Sequence, residues 1–218
     1  MNLHTIAGHS FDLDRLPEKP FVLDVGCRGF DFTKGIRQLR PEAYIWAMDP
    51  DPIIEKPDEA LCAYLRLALV APGQPRRQRY ASGSTGEGNF LTEMQSHPDW
   101  TIGEVDCASI ITISALLPAV FDETQHPGQQ KLGRKWDLIK LDCEGSEFSI
   151  LNNWPGPIAH QISVEFHDYN CRSKYPDSYY EGLFARLATF GYAVVRHELS
   201  DINGRGNIGH WDTILELR

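Results

Sequence analysis

A chain of 218 residues with 42% hydrophobic content can supply the core of one α/β domain. Its formal net charge of -9 opposes a nucleic-acid partner, because the basic face that phosphates require is confined to Arg76, Arg77 and Arg79. Five cysteines (Cys27, Cys62, Cys107, Cys143 and Cys171) with no C-x-x-C spacing argue against a zinc knuckle or a disulfide framework. They predict free thiols in a reducing, cytoplasmic setting, and no run of apolar residues is long enough to suggest a membrane partner.

Residues 1–20 mix apolar and acidic side chains and end in the breaker LPEKP, which predicts a short arm or helix beside a cleft, with residues 21–218 forming a single domain. The stretch FVLDVGCRGF, from Phe21 to Phe30, follows: an apolar run ending in an acid, then Gly26 and Gly29. This is the pattern of a buried parallel strand that turns tightly into a helix beside a ligand, although glycines kept only for packing would give the same letters. Against the dinucleotide fingerprint G-x-G-x-x-G, Asp24 stands where the first glycine belongs. A carboxylate there would repel a pyrophosphate and attract a cation, which suits the ammonium and sulfonium of S-adenosylmethionine better than a nicotinamide or flavin dinucleotide.

A helical pattern with Phe32, Ile36 and Leu39 stops before Pro41, and AYIWAM predicts a second buried strand that closes at Asp49. Asp49 lies 20 positions beyond Gly29, the separation at which a nucleotide-binding βαβ unit places the acid that bonds ribose hydroxyls. Cys62–Val70 is the third strand, with Ala68 near its end as a small side chain on which adenine can rest. The segment from Ala71 is rich in glycine, proline and polar residues. QPRRQRY is expected to be solvated, RQRYAS is a candidate edge strand, and Gly83–Asn89 is the stretch with the most flexible composition.

Ile110, Ile111 and Ile113 belong to a β-rich run over Cys107–Leu117 that passes into a short helix. WDLIKLD predicts a fourth buried strand, followed by Cys143, Glu144, Gly145, Ser146 and Glu147. There Ser146 can cap a helix whose first turn holds Glu147, whereas capping does not require Asp142 and Glu144 to be acids. QISVEF is a fifth strand carrying Glu165 and leading to His167 and Asp168. The spacing of Tyr180, Leu183, Phe184, Leu187 and Ala188 predicts a helix over Pro176–Phe190 whose aromatic stripe is core. YAVVRH and DTILEL supply two last strands.

DVGCRGF, MDPDP, IKLDCEGSEFSIL and ISVEFHD, in this order, resemble the FkbM-type S-adenosylmethionine-dependent methyltransferases. The most specific part is the block from Lys140 to Glu147, and the resemblance covers roughly residues 20–217. Cys27 and Arg28 depart from the family's usual Ala-Asn, and the stretches between the third and fourth strands match loosely.

The resemblance implies a Rossmann-like class I fold: a seven-stranded, mostly parallel sheet in the order 3-2-1-4-5-7-6, its seventh strand antiparallel, with helices on both faces. That order would gather Asp24, Asp142, Glu144, Glu165 and His167 at one sheet edge, with Asn207 and His210 opening onto it. It implies cofactor contacts at Asp24, Gly26, Cys27, Gly29, Asp49, Pro50, Ala68 and Asp142, and substrate contacts at Glu144, Asp168, Asn207 and His210. The implied reaction transfers a methyl group to a hydroxyl of a small molecule, a sugar or natural-product scaffold.

His167 is the first choice of general base, with Asp142 and Glu165 as alternatives. Asp142, Glu165, His167 and Asp168 could also hold a divalent metal, of the magnesium, manganese or calcium kind, although a metal is not expected. Two rival readings are a nicotinamide-dependent oxidoreductase, which Asp24 disfavours, and a binding module without turnover.

Overall fold

The computed structural model describes residues 1–83, 89–92, 99–120, 135–167, 177–200 and 210–218, with the backbone alone for 118–120, 177–178, 199–200 and 210–211. The central sheet is built from short apolar runs that are buried on both faces. β3 (Phe21–Val25) lies between β4 (Tyr44–Met48) and β10 (Trp136–Leu141), all parallel. β5 (Ala63–Leu65) continues beyond β4, and β11 (Ala159–Phe166) beyond β10. On the far side β13 (His210–Leu217) runs antiparallel to β11, and β12 (Tyr192–Ser200) antiparallel to β13. Numbered within the sheet, this mixed arrangement is 3-2-1-4-5-7-6.

Helices α2 (Ile110–Val120), α3 (Glu147–Asn152) and α4 (Asp177–Ala188) cover one face, where Ile113, Phe148, Ile150, Leu183 and Leu187 meet Leu23, Ile139 and Ile162. Helix α1 (Asp31–Leu39) covers the other face through Phe32 and Ile36, beside Phe11, Val22 and Leu138. Two buried clusters therefore sandwich the sheet, the layering expected of parallel strands joined by helical crossovers.

The strand count outside this sheet differs from the expectation. Where the sequence predicts a short arm or helix, β1 (Leu3–Ile6) and β2 (His9–Asp12) form a hairpin, followed by a single 3-10 turn at Leu13–Arg15. Its two-residue loop, Ala7-Gly8, has positive φ at both positions, the geometry that matches the twist of paired strands. The hairpin is tied to β11, where the Asp12 amide donates to Gln161 Oε1 at 2.7 Å and Gln161 Nε2 donates to the Asp12 carbonyl at 3.1 Å.

The third predicted strand is split. Ala63–Leu65 stays in the central sheet, while β6 (Ala68–Val70) joins a second sheet of order β6-β9-β7-β8 with β7 (Arg77–Ser82), β8 (Phe90–Leu91) and β9 (Thr101–Ser109). RQRYAS is thus a strand, and Arg77 and Arg79 lie opposite Asp106 and Glu104 across the register, which offsets their charge. Ile110, Ile111 and Ile113 fall on α2 rather than on a strand. No helix among the described residues is long and apolar enough to cross a membrane.

Candidate functional site

Where β3 and β10 end side by side, the chain passes through the turn Gly26-Cys27. Gly26 has φ 76°, and a Cβ placed on it would sit 1.8 Å from the Asp142 carbonyl oxygen. A side chain is therefore excluded there for two independent reasons, backbone handedness and contact between the strand ends. The turn opens onto a cavity of about 240 Å³. Its wall holds Asp24, Gly26, Cys27, Asp49, Pro50, Ala68, Asp142 and Glu144 from the expected set. Leu67, Leu69, Tyr80 and Phe90 make an apolar side, and Ala7 of the hairpin loop closes another.

Gly29 does not line the cavity; it makes a left-handed turn at φ 71° ahead of α1. Glu165 and His167 lie outside the wall too, behind Asp142. Asp168 and Asn207 are outside the described residues, as is most of Gly83–Asn89, and for His210 only the start of β13 is described.

The two acids at the ends of β3 and β4 differ in their surroundings. Asp24 is 0% exposed; its Oδ2 accepts from Thr33 Oγ1 at 2.7 Å, and its Oδ1 lies 3.4 Å from Lys140 Nζ. The ammonium also meets Asp142 Oδ2 at 3.1 Å and donates to the Gly26 carbonyl at 2.5 Å. The cation facing Asp24 is therefore Lys140, which corrects the expectation that this carboxylate itself receives the charged end of a ligand. Burial alone would drive the Lys140 ammonium toward neutrality, but Asp142 and Asp24 outweigh it and keep it charged. Asp142 responds in kind: against burial, Lys140 and the neighbouring imidazoles hold its carboxyl well below the usual range. Among the described residues Asp49 has no such ion-pair partner. Its Oδ1 accepts from the Asp51 amide at 2.9 Å, yet burial and the nearby Asp51 raise its pKa to about 6.

Behind Asp142 is the expected gathering of Glu144, Glu165 and His167, joined by Glu147 and His9. His167 Nδ1 lies 3.1 Å from Glu147 Oε1, while its Nε2 lies 3.1 Å from Glu165 Oε1, 3.5 Å from Glu144 Oε2 and 3.6 Å from Asp142 Oδ1. Burial would lower the imidazole pKa, but Glu147, Glu165 and Glu144 push it up to about 12. These carboxylates favour the protonated imidazole, and His167 stands outside the cavity wall, which speaks against the proton-accepting role that the sequence suggests.

Glu147 is fully buried and does not behave as a surface residue of a first helical turn. Its carboxylate turns back to accept from the Cys143 amide at 2.6 Å and the Gly145 amide at 3.0 Å, and Ser146 makes no side-chain cap. This holds the loop in a form where Glu144 takes φ 53°, an uncommon conformation for a side-chain-bearing residue and one that recurs at functional sites. His9 completes the cluster from the hairpin. Its Nε2 lies 3.6 Å from Asp142 Oδ2 and 3.7 Å from Glu165 Oε2.

Sequence reasoning missed Lys140, Glu147 and His9 as parts of this site. Lys140 and Glu147 stand inside the quoted block, and an ionisable residue in the middle of an otherwise apolar strand is the signal for Lys140. For His9 no local signal exists.

The family profile described as "Methyltransferase domain" matches residues 80–208, more than half of the chain and including Asp142–Glu147, Glu165 and His167. The chain belongs to the methyltransferase-domain family. This makes it an S-adenosylmethionine-dependent methyltransferase domain, although the match does not single out the FkbM type.

No curated protein sequence matches it. Among solved structures, TrmN from Thermus thermophilus is 12% identical with a TM-score of 0.43, over 94% of this chain and 46% of that one. The chain therefore spans about half the length of that protein. The Methanococcus jannaschii fibrillarin pre-rRNA processing protein is 11% identical with a TM-score of 0.45, over 99% and 81%. M. capricolum TrmK, in complex with S-adenosylhomocysteine, is 10% identical with a TM-score of 0.42, over 92% and 63%. Similarities of this size say nothing of what the methyltransferase domain acts on.

The cavity fits the methyl donor in kind. It has an acidic end, where Asp49, Asp142 and Glu144 stand, and a turn that would be filled by any side chain at Gly26. Its apolar lining includes Leu67, Ala68 and Leu69.

Proposed function

We propose that this methyltransferase domain acts on a hydroxyl of a small molecule, a sugar or natural-product scaffold, in the manner of the FkbM-type enzymes its motifs resemble. The observation that carries the reading is the convergence of the Gly26-Cys27 turn, Asp49, Ala68 and Asp142 on one cavity whose charged lining is mostly acidic. Asp49 would hold the ribose hydroxyls, Ala68 the adenine, and Gly26, Cys27 and Asp142 the amino-acid end. When bound, S-adenosylmethionine supplies an electrophilic methyl carbon on a sulfonium.

The protein's own task is alignment. Holding the acceptor in line accounts for roughly 7–11 kcal/mol in favourable cases, more than a general base contributes. Asp142 and Glu144 face the cavity and are the groups placed to orient a hydroxyl, while Glu165 and His167 support Asp142 from behind. The net charge of -9 and the acidic lining oppose a phosphate-rich acceptor. Free cysteines at 27, 62, 107 and 143 accord with a reducing, cytoplasmic setting.

Calorimetry with S-adenosylhomocysteine tests the cofactor half of this reading. Binding should be in the micromolar range, and Asp49→Ala should weaken it about tenfold or more, the size of one lost charged hydrogen bond. A chain that takes NADH and ignores S-adenosylhomocysteine would favour the oxidoreductase instead.

A further inference from the structure

We infer that His9, Asp142 and Glu165 bind one divalent first-row transition-metal ion behind the cofactor cavity. His9 is 2% exposed, and its Nε2 has no hydrogen-bond partner. This nitrogen points between two carboxylate oxygens at nearly equal distances, 3.6 Å to Asp142 Oδ2 and 3.7 Å to Glu165 Oε2. A proton shared with a carboxylate draws donor and acceptor to about 2.7–2.9 Å, so this triangle is too wide for a charge-assisted hydrogen bond on either side. An ion at about 2.0–2.2 Å from each donor needs donors roughly 3–3.8 Å apart, and both distances from His9 Nε2 fall in that range.

The ion would compete with Lys140 Nζ, 3.1 Å from the same Asp142 Oδ2, and with the His167 ring, 3.1 Å from Glu165 Oε1, whereas the contacts of His9 suit such a site. His9 Nδ1 faces Ser163 Oγ at 3.4 Å, the outer contact that fixes an imidazole with Nε2 free to bind. The hairpin that carries His9 has a tight loop and is pinned to β11, the strand that carries Glu165, so two of the three ligands ride on bonded strands. Asp142 also belongs to the cavity wall, which sets the ion one carboxylate away from the reacting end of a bound ligand. One imidazole with two carboxylates selects manganese, iron, cobalt or zinc over magnesium or calcium.

Occupancy is measured without cofactor or acceptor, so it stands apart from the function proposed above. The full chain is stripped with a chelator, dialysed and titrated with Co²⁺ alone, following the visible absorption of the bound ion. The expected result is about one Co²⁺ per chain with micromolar or tighter affinity, weakened about a hundredfold or more in His9→Ala and in Glu165→Gln. Glu165→Gln preserves shape and serves where His9→Ala does not fold, with circular dichroism as the control. Millimolar or absent Co²⁺ binding in the native chain, or folded variants that bind as the native chain does, would overturn the inference.

Discussion

Asp24 and Asp49 close adjacent parallel strands and look interchangeable in the sequence, yet the fold treats them differently. Asp24 is sealed from solvent with Thr33 on one oxygen and Lys140 beside the other. Asp49 is nearly as buried but, among the described residues, its carboxylate accepts only from the Asp51 amide, and burial raises its pKa to about 6. A neutralised acid braces the strand ends, whereas an acid left with a raised pKa is poised for a ligand that can donate to it.

The contrast is sharpest at Lys140. Lys140→Met should remove the cation shared by Asp24 and Asp142 and cost about 3–5 kcal/mol, measured by urea unfolding, because it strands the fully buried Asp24 and leaves the partly exposed Asp142 without its ammonium. Adding Asp24→Asn should restore part of that loss, and a double mutant that is no better than the single would break the assignment of Lys140 as Asp24's partner.

Gly26→Ala tests the turn between the two acids. Positive φ and the clash with the Asp142 carbonyl together should destabilise the chain by roughly 2–5 kcal/mol, and the folded fraction should lose S-adenosylhomocysteine binding.

Asp49→Asn should act in the opposite direction. A carboxyl whose pKa rises on folding is favourable to the folded chain at low pH, and that advantage disappears as pH climbs through about 6. Thermal melts should therefore show the variant equal to the native chain near pH 4 and more stable by up to about 3 kcal/mol at pH 8, at the expense of cofactor affinity. Equal stability at both pH values would mean that Asp49 carries no buried charge.

Thr33→Val gives the smallest change, about 1.5–3 kcal/mol, for one hydrogen bond to a charged group, with cofactor affinity nearly unchanged.

Much of this was legible in the letters. Apolar runs ending in acids located the strands at Phe21, Tyr44 and Trp136, because strands buried on both faces are largely apolar, and QISVEF marked a fifth from Gln161, two residues inside its observed start at Ala159. The resemblance supplied the sheet order, which local periodicity does not encode. What stayed hidden depends on distance along the chain. Lys140 meets Gly26 across 114 positions, and His9 faces Ser163 across 154. The hairpin was missed because Ala7-Gly8 lacks the Asn-Gly signal and β2 is buried along its whole length, which erases the alternation that marks a surface strand. Proximity of carboxylates to His167 was expected to tune it into a base, but four of them converge and overshoot.

A crystal structure of the chain with S-adenosylhomocysteine tests the central claim most directly. The account predicts ligand density against Gly26-Cys27, with ribose hydroxyls at Asp49, adenine beside Ala68 and the Asp24–Lys140 contact intact. Density that lies elsewhere, or a ligand that displaces Lys140 from Asp24, would contradict it.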